Sequence, residues 1–318
     1  MVPALVLTAG LATRLRPLSY VRAKAALPVA GTPLVGRILR SLSAAGVTDV
    51  VCNLHHLPQT LTRIVGDGSD LGLRVRYSWE TPVLGSAGGP KRAIPLLDSS
   101  TFLIVNGDTL TDVDLRAVVD DHRRSGALVT LAVVPNTEPG KYGGALVERN
   151  GAVTGFARRG AAKGSFHFIG VQVAEAGAFA SVPGDIAFES TQALYPALIQ
   201  SRPGSIRAFH ASAEFFDIGT PADYLDTSLQ IAAREALSDS HVSARVHPSA
   251  RVERSILWDD VVVEEGVMLR ECIVTDGVRV PSDTSWHGVT IRIASEELAP
   301  GERRIDDLAI ASIDPTPR

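Results

Sequence analysis

The spacing of apolar residues in this chain changes character twice. Over roughly the first 135 residues, short apolar runs alternate with stretches in which apolar positions recur every three or four residues. Pro3 to Leu7, Asp49 to Asn53, Leu73 to Tyr77, Phe102 to Val105 and Ala127 to Val134 read as strands. Phe102 to Val105 is continuously apolar, as strands covered on both faces of a parallel sheet are, and Ala127 to Val134 reads as another buried strand. Leu34, Ile38, Leu39 and Leu42 mark a helix opened by Gly31-Thr32-Pro33 and stopped near Gly46. Leu57 to Val65 reads as a second helix, and Asp114 caps a third that reaches Ser125. This βαβ alternation predicts a doubly wound α/β sheet, whose ligands bind beyond the C-terminal ends of its strands.

After a hairpin return over Gly151 to Arg159, Phe166 to Val171 reads as a strand back into the core, and Pro221 to about Leu237 as a helix. A new period then begins. Ala244, Ala250, Ile256, Val262, Met268, Val274 and Val280 recur every six residues, and Glu253 to Leu257 resembles Arg270 to Val274. A six-residue period predicts a β-helix. Two or three coils are too few to stand alone, so this piece is expected to pack on the preceding domain or on another subunit. The domain boundaries expected are therefore 1–237, 238–293 for the β-helix, and a polar tail 294–318 that frays.

Composition narrows the class. Of the 318 residues, 45% are hydrophobic and 21% charged, the profile of an ordinary globular protein. A net charge of −4 argues against a general nucleic-acid binder, which needs a basic face. No apolar run approaches the ~20 residues that span a bilayer, and the apolar start runs straight into Arg14, so neither membrane nor signal segment is expected. Cys52 and Cys272 form no disulfide framework or zinc pattern, which suits a reducing cytoplasm.

The chemistry concentrates at two expected strand ends. After the first strand comes Leu7-Thr8-Ala9-Gly10-Leu11-Ala12-Thr13-Arg14-Leu15-Arg16-Pro17-Leu18, followed by Lys24 and Pro28. Small residues let backbone N–H groups approach an anion, and the arginines and lysine add fixed cations, as a polyphosphate site needs. Asn106-Gly107-Asp108 follows another buried strand. A carboxylate held there suits Mg²⁺, which typically keeps one or two protein carboxylates plus substrate phosphates. The other reading of Asp108 is a turn residue bonding its own backbone, the reading that fits Asp112, with Asp114 as a helix cap. Three lookalikes fall away. Gly31 to Arg37 has P-loop spacing without the lysine or the strand, and Gly10-Leu11-Ala12 lacks the third glycine of a dinucleotide site. His55 and His56 point to opposite faces of an extended chain and are read as loop histidines.

The run Gly10 to Ser19, with Ala23-Lys24-Ala25-Ala26-Leu27-Pro28-Val29, resembles the signature of the sugar-1-phosphate nucleotidyltransferases, G-x-G-T-R-L-x-P-L-T then P-K-x-L-x-P-V, with Ala12 and Ala23 in place of a glycine and a proline. The similarity extends to about Tyr224 and is to the mannose-1-phosphate guanylyltransferase-like members in particular. Leu84-Gly85-Ser86-Ala87-Gly88 resembles the loop that lies against the base, Lys141-Tyr142-Gly143 the element near the sugar, and Phe215-Phe216-Asp217-Ile218-Gly219-Thr220-Pro221 the W-x-D-x-G-T-P element. Locally, Thr220, Pro221 and Asp223 also read as a capped helix start, which leaves Asp217 unexplained.

The resemblance implies a Rossmann-like doubly wound mixed sheet with a short left-handed β-helix. It implies nucleotidyl transfer from a nucleoside triphosphate to a sugar-1-phosphate, with Mg²⁺ as cofactor, in a cytoplasmic homo-oligomer associating through its C-terminal region. Arg14 and Lys24 would be catalytic. Leu7, Ala9, Gly10, Leu11, Ala12, Thr13, Glu80, Gly85 and Asn106 would bind the nucleotide, Asp108 and Asp217 the metal, and Gly143 with Arg159 or Lys163 the sugar phosphate. Phe156-Ala157-Arg158-Arg159-Gly160 departs from the F-x-E-K-P element by reversing one charge at Arg158, and a solvated loop is the other reading of this basic cluster. Glu80 could accept from a ring N–H. Guanine offers two donors and uracil one, which favours GTP over UTP or dTTP, while a solvated Glu80 on a glycine-rich loop is the alternative. Ala12, Ala23 and Arg158 also keep open a nucleotide-sugar-binding protein without turnover.

Overall fold

The computed structural model describes residues 1–161, 163–237 and 243–314. The chain forms two compact units. Met1–Gly10 and Val35–Phe216 make the first, and Leu11–Leu34 with Asp217–Arg318 the second. The loop carrying Arg14 and Lys24 thus groups with the C-terminal part of the chain.

The first unit is built on a mixed sheet of nine strands. Its strands are β1 (Ala4–Leu7), β2 (Asp49–Leu54), β3 (Arg74–Trp79), β4 (Thr101–Asn106), β5 (Val129–Pro135), β6 (Gly144–Val147), β7 (Val153–Ala157), β8 (Phe166–Glu175) and β9 (Ile206–His210). β3, β2, β1 and β4 lie side by side in that order and run parallel. β8 then runs antiparallel to β4 and to β5. Apolar strand residues explain this centre: Leu5, Val51, Phe102 and Ile104 are fully buried, packed with Ala87 and Ala93 of the helix Gly85–Leu97. The expected helices appear as α1 (Leu34–Ala44), α2 (Pro58–Val65) and α4 (Leu115–Ser125), with α3 (Gly85–Leu97) between the last two. Asp114 caps α4 by accepting from Arg116 and Ala117 amides. The chain leaves β1 toward β2 on one side and meets β4 on the other, which makes the β1–β4 seam the switch point of the sheet.

The second unit contains three parallel three-stranded stacks. Arg245–Val246, Val262–Val263 and Arg279–Val280 form one, Arg251–Glu253, Met268–Arg270 and Ser285–His287 the next, and Ile256–Leu257, Ile273–Val274 and Val289–Ile293 the third. A short β-helix is therefore present. Its register corrects the uniform six-residue row expected from sequence. Cys272 donates its amide to Ser255 Oγ, 17 residues back, and Arg245 pairs with Val262, which pairs with Arg279. A coil of 17 residues has two faces of six and one of five. The inward row is accordingly Val252, Leu257, Val263, Leu269, Val274, Val280, Trp286 and Ile291, the side chains of one packed cluster. Met268, which the uniform spacing put in the row, is 48% exposed. The corners carry the same 17-residue mark: Arg254, Glu271 and Gly288 all have φ near +50 to +64°.

The polar tail is also corrected. Arg303–Ile305 and Leu308–Ser312 form a hairpin whose second strand pairs antiparallel with Val289–Ile293. Leu308, Ala309 and Ile310 are buried. The four-residue apolar step Leu308 to Ala311 in a polar background is too short to register as a strand on its own, and its pairing with the last coil makes it one. Residues 315–318, and 238–242 of the expected β-helix, lie outside the described residues.

Candidate active site

The two units carry separate parts of the expected site. In the first unit the ends of β1 and β4 are pinned together. Leu7 is in register with Asn106, and the Gly107 amide donates to Leu7 O at 2.9 Å. A Cβ on Gly107 would stand 2.5 Å from that same carbonyl oxygen, so only glycine lets the chain turn here. Asp108 follows the turn, and one of its carboxylate oxygens accepts from Thr109 Oγ1 at 3.2 Å. Asn106 lies against Gly170, whose φ of +78° marks the bulge in β8. Asp112 accepts from the Glu214 amide, a tertiary contact rather than the local turn bond expected of it.

A buried polar network sits beneath the end of β1. Asn53 Oδ1 accepts from the Thr8 amide at 2.6 Å and the Ala9 amide at 3.3 Å, while Asn53 Nδ2 donates to Glu80 Oε1 at 2.7 Å. The other oxygen of Glu80 accepts from the Leu84 amide at 2.8 Å. Glu80 is 2% exposed, so the solvated reading does not hold, and both its oxygens are committed to protein donors. Its observed work is to hold Leu84 and the following glycine-rich turn. Gly85 has φ +75°, and a Cβ there would meet Glu189 and the Phe188 carbonyl within 3 Å. The opening of α3 is then latched from the other side. Ser86 Oγ donates to Glu189 Oε2 at 2.5 Å, and the Ala87 amide donates to Phe188 O at 2.8 Å.

Near the β6 and β7 hairpin, Gly143 approaches the Ala157 carbonyl so closely that a Cβ would lie 2.8 Å away. Tyr142 stands beside His167 at 4.3 Å between centroids, and His167 stacks on Phe215 at 4.5 Å. Burial drives the His167 imidazole below its ordinary pKa, against a Gly143 backbone hydrogen bond and the Glu138 charge. Arg159 and Lys163 are exposed between β7 and β8, as the solvated-loop reading has them.

In the second unit the signature residues lie on single helical turns, Thr13–Leu15, Leu18–Tyr20 and Lys24–Ala26. Ala12 has φ +48° and ψ +46°, a left-handed conformation that glycine adopts without strain. Its carbonyl accepts from Ser19 Oγ and the Leu15 amide. Ala23, at φ −55° and ψ +144°, has the extended backbone that a proline before Lys24 would impose. Arg14 is exposed and Lys24 half-buried. The Cα of Gly219 faces three charged groups: a Cβ there would lie 3.1 Å from Arg14 Nη1, 3.2 Å from Asp223 Oδ2 and 3.3 Å from Asp217 Oδ2. Thr220 caps the helix α5 (Pro221–Arg234) by accepting from the Asp223 amide, so Asp223 is tied to the cap.

A family model described as nucleotidyl transferase matches residues 3–234, and one described as GlmU-like, C-terminal hexapeptide matches residues 234–289. The chain belongs to the nucleotidyl transferase family. A mannose-1-phosphate guanylyltransferase of Mycobacterium tuberculosis is 29% identical over 88% of this chain and 81% of its own length. A UTP–glucose-1-phosphate uridylyltransferase of Synechocystis is 26% identical over 96% of this chain and 86% of its own. The crystal structure of HddC from Yersinia pseudotuberculosis complexed with GMP-PN superposes with a TM-score of 0.63 at 22% identity, covering 73% of this chain and all of that one, a likeness of fold.

Sequence reasoning passed over Asn53 and Glu189. Asn53 had a signal, since it is a polar residue inside an otherwise apolar strand and a buried amide needs partners. Glu189 had none, because it meets Ser86 only through the tertiary fold.

Proposed function

We propose that this nucleotidyltransferase couples GTP and mannose-1-phosphate to GDP-mannose and pyrophosphate. A phosphate oxygen of the sugar-1-phosphate attacks the α-phosphorus of the triphosphate, the α–β bridging bond breaks, and pyrophosphate leaves in line. Catalysis then consists of positioning and charge neutralisation. Arg14 neutralises the β- and γ-phosphates as charge builds on the leaving group. Lys24 holds the α-phosphate and the attacking phosphate. Leu7, Ala9, Gly10, Leu11, Ala12 and Thr13 pass their backbone along the nucleotide, Gly85 and Asn106 border it, and Gly143 with Arg159 or Lys163 receives the sugar phosphate. Glu80 serves from below, by holding Leu84.

Mg²⁺ is the cofactor this reading requires, with Asp108 and Asp217 as its protein ligands. Their hard oxygen donors fit it, and a magnesium ion completed by substrate phosphates needs no larger cage. Among the described residues no three His, Cys, Asp or Glu side chains form one. When bound, the ion would neutralise phosphate charge. Two free buried cysteines support a cytoplasmic protein, and among the described residues no helix is long and apolar enough to cross a membrane. The C-terminal coils would mediate assembly into a homo-oligomer.

The observation that supports this reading most is the convergence of Arg14 and Asp217 on Gly219, a phosphate-type cation beside a metal-type carboxylate. Pyrophosphate release measured over a panel of triphosphates and sugar-1-phosphates tests it. GTP with mannose-1-phosphate should give the highest kcat/KM, and Asp108→Asn or Asp217→Asn should remove magnesium-dependent turnover. Wild-type rates in both variants would end the metal assignment, and a higher kcat/KM with another pair would reassign the substrates.

A further inference from the structure

The loop of residues 11–34 is fastened to the C-terminal part of the chain at three points, the first two sharing Trp258. At the first, Arg22 spans two successive coils. Its Nε donates to Asp276 Oδ2 at 2.8 Å and its Nη2 to Asp276 Oδ1 at 2.6 Å and Asp259 Oδ2 at 2.5 Å. Asp259 and Asp276 are one 17-residue coil apart, so the β-helix repeat itself builds the pair of carboxylates that the guanidinium fork requires. The Arg22 guanidinium also lies 5.3 Å from the ring centroid of Trp258, a fully buried side chain.

At the second point, Trp258 Nε1 donates to Tyr224 Oη at 3.0 Å, and Tyr224 Oη donates onward to Pro28 O at 2.5 Å. A buried residue of the first described coils thus reaches the loop's own backbone through α5. Ser228 of the same helix accepts from the Ala30 amide at 2.8 Å. At the third point, the guanidinium carbons of Arg16 and Arg292 lie 5.2 and 5.8 Å from the ring centroid of Tyr20. Arg292 is held there by Glu302, in a buried two-pronged ion pair of 2.6 and 2.5 Å from the closing hairpin. Truncating one member of such a pair leaves a buried charge unpaired, which is strongly destabilising.

These attachments bracket the residues to which catalysis is assigned. Tyr20 and Arg22 stand on the chain between Arg14 and Lys24, and Pro28 and Ala30 lie just beyond Lys24. We infer that the β-helix and its closing hairpin are the positioning frame of the Arg14–Lys24 loop, with Arg22 as the principal positioning residue. The inference rests on the proposed nucleotidyl transfer for its consequence in rate, but not for the fastening itself. A loop of short helical turns, carrying cations that must meet a triphosphate, loses rate steeply when displaced by about 1 Å. The frame supplies the rigidity that the loop's three isolated helical turns cannot.

The test combines amide hydrogen exchange with kinetics on the full chain. The variants are Arg22→Ala, Arg22→Lys, the pair Asp259→Asn with Asp276→Asn, and all three changes of Arg22→Ala, Asp259→Asn and Asp276→Asn together. Exchange across residues 11–34 should quicken in Arg22→Ala and in the aspartate pair, while β1 and β4 remain protected. At a temperature where every variant is folded, kcat/KM for GTP should fall about tenfold or more in each. The triple variant should be no worse than either, since each removes the same fastening. Arg22→Lys, which keeps the charge but loses the fork, should recover part of the rate.

Unchanged exchange over 11–34 in both Arg22→Ala and the aspartate pair would overturn the frame. Quickened exchange with wild-type kcat and KM would overturn its positioning role. If the wild-type protein turns over no triphosphate and sugar-1-phosphate pair at all, the proposed reaction falls, and the exchange result alone decides whether the tail frames the loop.

Discussion

Asn53 Nδ2 lies 2.7 Å from Glu80 Oε1, and through that contact the end of β1 and the turn into α3 share one buried network. A Cβ on Gly89 would stand 2.7 Å from the same Glu80 oxygen, so the helix presses directly on the pair. Glu80→Gln keeps the shape but offers an N–H where two donors expect acceptors. Leaving a buried donor unsatisfied costs about 1–3 kcal/mol. Denaturant unfolding should show that loss, and the ratio of kcat/KM for GTP to that for UTP should stay as in wild type. A collapsed base preference with unchanged stability would make Glu80 a base acceptor instead.

Ala12 occupies a left-handed backbone conformation, which costs an L-residue roughly 1–2 kcal/mol, while glycine gives back part of the gain through the unfolded chain. Ala12→Gly should therefore stabilise the protein by up to about 1 kcal/mol, and Ala12→Val should destabilise it by more than that because a β-branched residue fits this region worst. Midpoints of urea unfolding at constant slope check both signs.

Gly107→Ala should be far more damaging than its size suggests. The added methyl would meet the Leu7 carbonyl oxygen at 2.5 Å, and that oxygen is also the partner of the Gly107 amide. We expect a loss of about 2 kcal/mol or more, together with reduced turnover, because Asp108 is carried on the displaced turn. Stability equal to wild type would show that the β1–β4 seam yields without cost.

His167 sets one part of the pH dependence. Burial lowers its native pKa below the ordinary value of 6.5, while the unfolded chain titrates near that value. The unfolded state therefore binds the proton first. Stability from this group is complete above about pH 6.5 and is lost as pH falls from there through the native pKa. His167→Phe should remove that segment of the curve. A slope identical to wild type between pH 7 and 5 would exclude His167 as its source.

The strands and helices that frame the first unit were legible because their signals are local. Phe102 to Val105 could only be a doubly covered strand, and Asp114 and Thr220 announced their helices by the hydrogen bonds their side chains can make. The signature run marked Arg14 and Lys24, and two separate elements, Asn106-Gly107-Asp108 and Phe215 to Pro221, marked Asp108 and Asp217 as candidates. The β-helix was legible as a repeat but not in register. Adjacent apolar residues such as Ile256 and Leu257, or Val262 and Val263, satisfy a six-residue row equally well until the parallel partners, 17 residues apart, fix which of them faces inward. Leu308 to Ala311 gave no strand signal at all, since four apolar residues become a strand only when the edge of Val289–Ile293 offers them hydrogen bonds. The same holds for Arg22. Alone it is one more cation in a basic loop, and its meaning comes from Asp259 and Asp276, more than 230 residues further along, which only the coiled chain brings within reach.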